Sequence, residues 1–87
     1  MAKNDALEVL KALSDETRLE IVRLLLDGER CVCQIFPHVK RTQSTVSIQL
    51  AKLEKAGLIG SRRDGKRIFY KIKDARVKKI MNAAMPK

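Results

Sequence analysis

Hydrophobic residues recur along most of this 87-residue chain at intervals of three and four. This is the spacing of one face of an α-helix. Three stretches follow the pattern: Ala6–Leu13, residues 19–26 and residues 77–84. Ser14, followed by Asp15 and Glu16, is the predicted N-cap of the second helix, and Asp74 is that of the last, because such side chains cap the free N–H groups of a helix. The pattern therefore predicts three amphipathic helices, two of them capped.

Two further helices are predicted in the middle of the chain. Residues 31–40 keep the helical spacing but contain Pro37, which lacks an N–H and disfavours the helical conformation at Phe36. We expect this helix to be short or distorted. Residues 42–55 indicate a regular helix with Thr42 as its N-cap. Its buried face is expected to be Val46, Leu50 and Leu53.

The segment after the fourth helix has the pattern of a β-hairpin. A first strand opens at Leu58, the chain turns at Asp64 and Gly65, and residues 68–72 return. An Asp-Gly pair between two strand-like runs is a strong hairpin signal. Four helices, a hairpin and a fifth helix give a mainly α fold with a small β-hairpin. We therefore predict a single winged helix-turn-helix domain over residues 1–87.

The charge of the chain is strongly positive and unevenly distributed. Nineteen Lys and Arg face ten Asp and Glu, for a net charge of +9, and the basic residues are concentrated between Arg62 and Lys79. Many stable domains have a basic solvated surface, but a concentrated patch is typical of a phosphate-binding face. A membrane surface is the other candidate partner. No apolar run approaches the roughly 18 residues of a spanning helix, and no signal peptide is recognisable, so we expect a cytoplasmic protein.

Two features of composition bear on function class. A domain of this length buries only about 60–65% of its unfolded surface, which favours pairing with a second copy. Aromatic residues make up 3% of the chain, so the core is expected to be aliphatic. The sequence has one histidine, no phosphate loop and no paired carboxylate site, and we do not expect an enzyme.

The fourth predicted helix has the composition of a helix that reads DNA. Its first turns carry short polar side chains, which reach base edges in a major groove. An ordinary solvated helix would also be polar, but Ile48 favours DNA, because an isoleucine can contact a thymine methyl group. Contact of Ile48 with a neighbouring helix is the alternative. The candidate DNA-binding residues of this helix are Thr42, Gln43, Ser44, Thr45, Ser47, Ile48, Gln49 and Lys52.

The hairpin tip adds the cations Arg62, Arg63, Lys66 and Arg67, which we expect to lie along phosphates or in a minor groove. Such contacts position a protein on DNA and carry little sequence information.

Cys31 and Cys33 are the only cysteines, and a reducing compartment makes a site more plausible than a structural disulfide. Residues two apart on a regular helix point about 200° apart, so the pair can act together only if the helix start is frayed or non-helical. Three interpretations remain open. The pair binds a thiophilic ion such as trivalent arsenic, it is a thiol–disulfide switch, or both residues are inert and buried. His38 is expected to be a surface or packing residue rather than a ligand.

Several linked motifs resemble the ArsR/SmtB family of metal-sensing repressors. They are LSDETRLEIVRLLL at 13–26, Cys-Val-Cys at 31–33, QSTVS at 43–47, LAKL at 50–53, AGL at 56–58 and DGKRIFY at 64–70. The resemblance implies a homodimer paired through the first and last helices. It also implies an operator-bound form that is released when the sensor site at Cys31 and Cys33 is filled.

The chain departs from the family pattern in three places. Ile48 and Gln49 stand where Arg-His is common, so the operator is expected to differ. A third cysteine does not follow the pair. The last helix offers only Asp74 of the Asp and His ligands for zinc, so we expect no zinc site there.

These observations predict a DNA-binding repressor released when Cys31 and Cys33 bind an ion such as arsenite, with no required cofactor. Weakening DNA binding about 100-fold needs only about 2.7 kcal/mol of coupling. A redox-responsive regulator of the same fold, a constitutive DNA binder and a protein-interaction module are the alternatives.

Overall fold

The computed structural model describes residues 6–84 of the chain, so both ends of the predicted domain lie outside it. The described part contains five helices and a three-stranded sheet, in the predicted order but with one additional strand. The elements are α1 (Ala6–Leu13), α2 (Glu16–Leu25), β1 (Arg30–Cys31), α3 (Val32–Val39), α4 (Gln43–Lys55), β2 (Ile59–Asp64), β3 (Arg67–Ile72) and α5 (Ala75–Ala84). The predicted winged helix-turn-helix architecture is confirmed.

Of the three helix caps predicted from the sequence, two are confirmed and one is wrong. Thr42 Oγ1 accepts a hydrogen bond from the N–H of Thr45 at 3.1 Å, and Asp74 accepts one from the N–H of Arg76 at 3.0 Å. The prediction for α2 was wrong by one residue, because Asp15 rather than Ser14 is the cap. Asp15 has the extended backbone of an N-cap, whereas the Ser14 hydroxyl donates back to the Lys11 carbonyl at 2.7 Å.

Helix α3 is short, as expected, but it runs through Pro37 without interruption. Cys31 is its N-cap, with an extended backbone, and its sulfur accepts a hydrogen bond from the N–H of Cys33 at 3.1 Å. The side chain of Gln34 returns to accept from the N–H of Cys31 at 3.0 Å. These two reciprocal bonds form a capping box, which fixes where the helix begins.

The sheet has the order β1-β3-β2, and both pairings are antiparallel. Strand β1 was not predicted, because two residues are too few to show a periodic pattern. The hairpin turn lies one residue later than expected: Asp64 pairs with Arg67, so Gly65 and Lys66 form the turn. Gly65 has φ +64°, the positive value that a two-residue turn with glycine in first position requires.

The core is aliphatic, as the composition predicts, and every helix contributes to it. Its buried members are Val9, Leu13, Ile21, Val22, Leu25, Ile35, Val39, Val46, Leu50, Leu53, Leu58, Ile59, Val77 and Met81. The spacing predicts a buried stripe of Val77, Ile80, Met81 and Ala84 on α5, but only Val77 and Met81 are buried, since Ile80 is partly buried and Ala84 is exposed. None of the helices in the described range is long and apolar enough to cross a membrane.

Candidate nucleic-acid interface and thiol pair

Helix α4 presents a polar edge on the side away from the core. Val46, Leu50 and Leu53 are fully buried, which turns the opposite face of the helix to solvent. Ile48 on that face is 55% exposed, so the alternative, contact with a neighbouring helix, is not met within the described chain. The exposed candidate residues of α4 and its cap are Thr42, Gln43, Ser44, Ser47, Ile48 and Lys52.

The other two candidates on α4, Thr45 and Gln49, are only partly exposed and have partners inside the protein. Thr45 Oγ1 lies 2.9 Å from Thr42 Oγ1, which donates to it. Gln49 Oε1 accepts a hydrogen bond from Arg18 Nη1 at 2.7 Å. Both side chains therefore stand at the margin of the polar edge.

Every residue of the tip of the β2–β3 hairpin, residues 61–67, is exposed. Arg63, Lys66 and Arg67 form no ion pair within the described residues, and their charges face solvent. Arg62 differs from them, because it forms a two-point ion pair with Glu29, with Nε and Nη2 at 2.9 and 2.7 Å from the carboxylate oxygens. Its guanidinium also lies 4.7 Å from the centre of the Phe69 ring. Three of the four predicted wing cations are thus available to an anion, and the fourth is occupied.

The ion pair shifts the pKa of both Glu29 and Arg62. The hydrogen bonds from Arg62 lower the pKa of the Glu29 carboxyl below its ordinary value, although partial desolvation opposes the effect. The same bonds raise the pKa of Arg62. At neutral pH Glu29 is therefore ionised, and it holds the guanidinium of Arg62.

Cys31 and Cys33 are joined by a disulfide in the structure, with their Cα atoms 5.2 Å apart. The angular argument against their meeting does not apply, because Cys31 is the extended cap residue and only Cys33 lies in the helix. The start of α3 is capped rather than frayed, and Cys31 has the non-helical backbone that a joint role of the two cysteines requires. Cys31 is 2% exposed, whereas Cys33 is exposed to solvent.

The disulfide lies where α3 meets the sheet of the hairpin. Cys31 belongs to β1 and stands opposite Phe69 of β3, and Phe69 in turn stands opposite Arg62 of β2. On its other side α3 packs against α4 through the shared core, with Ile35 and Val39 among its buried members. The disulfide therefore lies next to both candidate DNA-contacting elements, α4 and the hairpin.

Metal-binding groups are not assembled around the sulfurs in the described part of the chain. Among residues 6–84, no group of three or more His, Cys, Asp and Glu side chains is placed to hold an ion. His38 is exposed and lines a surface cleft with Glu20 and Asp27, and neither cysteine lines that cleft. An ion held by Cys31 and Cys33 would take its remaining ligands from groups other than the His, Asp and Glu side chains of residues 6–84.

Sequence reasoning did not identify Arg18 and Glu29 as functional candidates. Their partners Gln49 and Arg62 lie 31 and 33 residues away along the chain. Local periodicity carries no signal for such contacts. The only sequence signal is that Arg18 lies within the family-like motif at 13–26.

Comparisons with known proteins agree with this architecture. Residues 15–61 match the model of the bacterial regulatory protein, arsR family. The chain is 46% identical over 77 residues to an uncharacterized HTH-type transcriptional regulator of Methanocaldococcus jannaschii, covering 87% of this chain and 86% of that protein. It is 37% identical over 81 residues to a cadmium resistance regulatory protein CadC homolog of Staphylococcus aureus, covering 92% and 67%.

Solved structures give the same result. HlyU from Vibrio cholerae superimposes with a TM-score of 0.87 at 30% identity, covering 94% of this chain and 92% of that one. A homodimeric winged helix-turn-helix DNA-binding domain from Mycobacterium bovis has a TM-score of 0.80 at 36% identity, covering 87% and 70%. The proteins matched by sequence are transcriptional regulators rather than enzymes. From its helices, its hairpin and these relatives, the chain belongs to the ArsR family of DNA-binding transcriptional regulators.

Proposed function

We propose that this protein is a dimeric, sequence-specific repressor whose affinity for its operator depends on the redox state of Cys31 and Cys33. The observation that carries the proposal is the disulfide between these residues at the start of α3. It joins a buried cysteine to an exposed one, and in this proposal an oxidant or reductant in solvent reaches the pair from the side of Cys33. The pair adjoins the helix and the hairpin that would contact DNA.

DNA binding in this proposal uses two surfaces with different roles. The exposed polar edge of α4 enters the major groove, where Gln43, Ser44 and Ser47 reach base edges and Ile48 contacts a thymine methyl. The wing cations Arg63, Lys66 and Arg67 lie along phosphates and fix the register. With a net charge of +9 per chain, a dimer that neutralises six to ten phosphates loses about three to five decades of affinity between low and moderate salt.

The second copy is supported by α1 and by a structural relative. Leu7 and Leu10 are 60% and 54% exposed on α1, although Val9 and Leu13 of the same helix are buried. The Mycobacterium bovis domain of the same fold is described as homodimeric. We place the interface on α1 and α5, so that the two reading helices face one operator.

The switch is a two-electron reaction. The two thiols lose two electrons and two protons to an oxidant such as hydrogen peroxide, which becomes two molecules of water, and a dithiol reverses the step. Reduction breaks the bond, and the sulfurs then separate to non-bonded contact. The start of α3 shifts relative to β3 and α4. The reduced form binds the operator, and the disulfide form is released.

The test is operator binding by wild type and by the double variant Cys31→Ser/Cys33→Ser, each after dithiol and after peroxide treatment. The operator is first selected from random duplexes with reduced protein. We expect peroxide to weaken wild-type binding about 100-fold, equivalent to about 2.7 kcal/mol of coupling. The double variant should bind equally well under both conditions. Equal release of wild type and variant by peroxide would place the sensing group elsewhere.

A thiophilic ion is the second candidate signal, because one relative is named as a cadmium resistance regulator and the two sulfurs lie close together. Thiolates suit soft metal ions. Arsenite added to the reduced protein, with no oxidant present, separates the two candidates. Release by arsenite and not by peroxide would identify the ion as the signal. Wild-type binding that neither reagent affects would indicate a constitutive DNA binder.

A further inference from the structure

Arg18 of α2 makes contacts with the two helices on either side of it. Its Nε donates to the Ala12 carbonyl at 2.7 Å, and its Nη1 donates to Gln49 Oε1 at 2.7 Å. Ala12 is in the last turn of α1, where backbone carbonyls lack partners within the helix. One partly buried guanidinium thus ties the end of α1 to the middle of α4.

Gln49 lies at the margin of the reading edge of α4, where it is only partly exposed and contacts Arg18 of α2. At about 100° per residue, it is rotated about 140° around the helix axis from Ser44. It directly precedes the buried Leu50, and its amide oxygen is directed to Arg18. Bidentate pairing of a glutamine with adenine uses this same oxygen as an acceptor. In this structure that oxygen already accepts a hydrogen bond from Arg18.

We propose that Arg18 is a positioning residue that fixes the angle between α1 and the reading helix α4, and that Gln49 receives this contact instead of reading a base. The proposal rests on the dimer and operator of the proposed function. If α1 pairs with its copy, the contact relates the two reading helices to the dimer axis. Arg18 then determines which separation of half-sites the dimer accepts.

An arginine suits this role better than a lysine. Its guanidinium is a rigid planar fork whose donors point in fixed directions, so two bonds to separate helices define their relation. A lysine ammonium is a point charge on a flexible stem, and it cannot hold both acceptors in one geometry. The Arg18→Lys variant therefore keeps the charge and removes the geometry.

The test measures half-site spacing and base preference separately. Wild type, Arg18→Met, Arg18→Lys, Gln49→Ala and the double variant Arg18→Met/Gln49→Ala are each bound to the selected operator. They are also bound to versions with one base pair added or removed between half-sites. Arg23→Met is the matched control, because Arg23 is an exposed arginine of the same helix. Circular dichroism establishes that each variant is folded. Gln49→Ala removes only the acceptor on α4, because the bond of Arg18 to the Ala12 carbonyl does not involve Gln49.

We expect wild type to favour its own spacing and the variants at 18 and 49 to lose about tenfold of that preference, the effect of one charge-assisted hydrogen bond. The double variant should lose no more than the single ones, and base preference within each half-site should not change. Arg23→Met should keep the wild-type spacing preference.

Two results would overturn the proposal. One is loss of preference at a single base pair of each half-site in Gln49→Ala, which would make Gln49 a base reader. The other is an unchanged spacing preference in the variants at 18 and 49. Failure of wild type to select any sequence is a different outcome, since it would refute the proposed function itself and this inference with it.

Discussion

At the scale of single residues, the pair Glu29–Arg62 shows that a basic side chain in the wing is not automatically a DNA contact. A phosphate must compete with a carboxylate that already holds the guanidinium at two points. The folded-state pKa of Glu29 is below its ordinary value, so the pair is complete at neutral pH. Its contribution is lost only as the pH falls through that lowered value, in the acid range.

The variant Glu29→Gln removes the carboxylate charge and should release Arg62 to a phosphate. One further phosphate contact steepens the dependence of log K on log salt by about 0.9 per protomer. Asp27→Asn is the matched control, since it makes the same change in net charge at an exposed acid that has no ion pair among the described residues. Salt titrations of operator binding measure both. Equal slopes for the two variants would mean that Arg62 does not contact DNA.

At the scale of elements, the long helices follow from periodicity, while the fine structure of the hairpin follows from backbone conformation. The turn could be assigned to Asp64-Gly65 from the sequence, but the register Asp64–Arg67 moves it to Gly65 and Lys66. Ser14 and Asp15 are both competent caps, and only the backbone geometry distinguishes them. Strand β1 forms because β3 offers an unpaired edge to Arg30 and Cys31.

Gly65 provides a test of the hairpin alone. A Cβ at this position meets nothing within 4 Å, so the cost of Gly65→Ala comes from its positive φ. We expect the free energy of unfolding to fall by about 1 kcal/mol, measured by urea denaturation.

Gly60→Ala in β2 is the control for this substitution. Its φ is not positive, and the added Cβ would lie 3.8 Å from Lys73 Cδ, an ordinary contact. The free energy of unfolding should therefore stay unchanged or rise slightly. Equal destabilisation by both substitutions would contradict the strain argument.

At the scale of the whole molecule, the exposed apolar side chains indicate the place of the second copy. Large hydrophobic residues are highly exposed at Leu7, Leu10 and Ile48 within the described residues. Ile48 belongs to the proposed DNA-reading edge, and the two leucines belong to α1. A small domain gains stability when such side chains are covered.

The variant Leu7→Lys/Leu10→Lys should be monomeric at concentrations where wild type is a dimer. Covering a leucine is worth about 1.5–3 kcal/mol, so the dissociation constant should rise by at least two orders of magnitude. Ile48→Lys is the control, because it adds a charge at a similarly exposed site and should leave the dimer intact. Sedimentation equilibrium measures all three proteins. A dimer that persists in the α1 variant would place the interface on another surface.

The sequence by itself determined the helices, the hairpin, the aliphatic core and the basic wing. Each of these depends on local spacing or composition, and the family-like motifs narrowed the function to DNA-binding regulation.

The sequence also singled out Cys31 and Cys33, but helical spacing alone would have kept their side chains apart. Only the tertiary structure decided that Cys31 stands outside the helix in a strand paired with β3, which brings the two sulfurs together. It likewise decided the bonds of Arg18 to Gln49 and of Arg62 to Glu29. Contacts between residues about thirty positions apart depend on how the helices and sheet pack, and no local pattern encodes them.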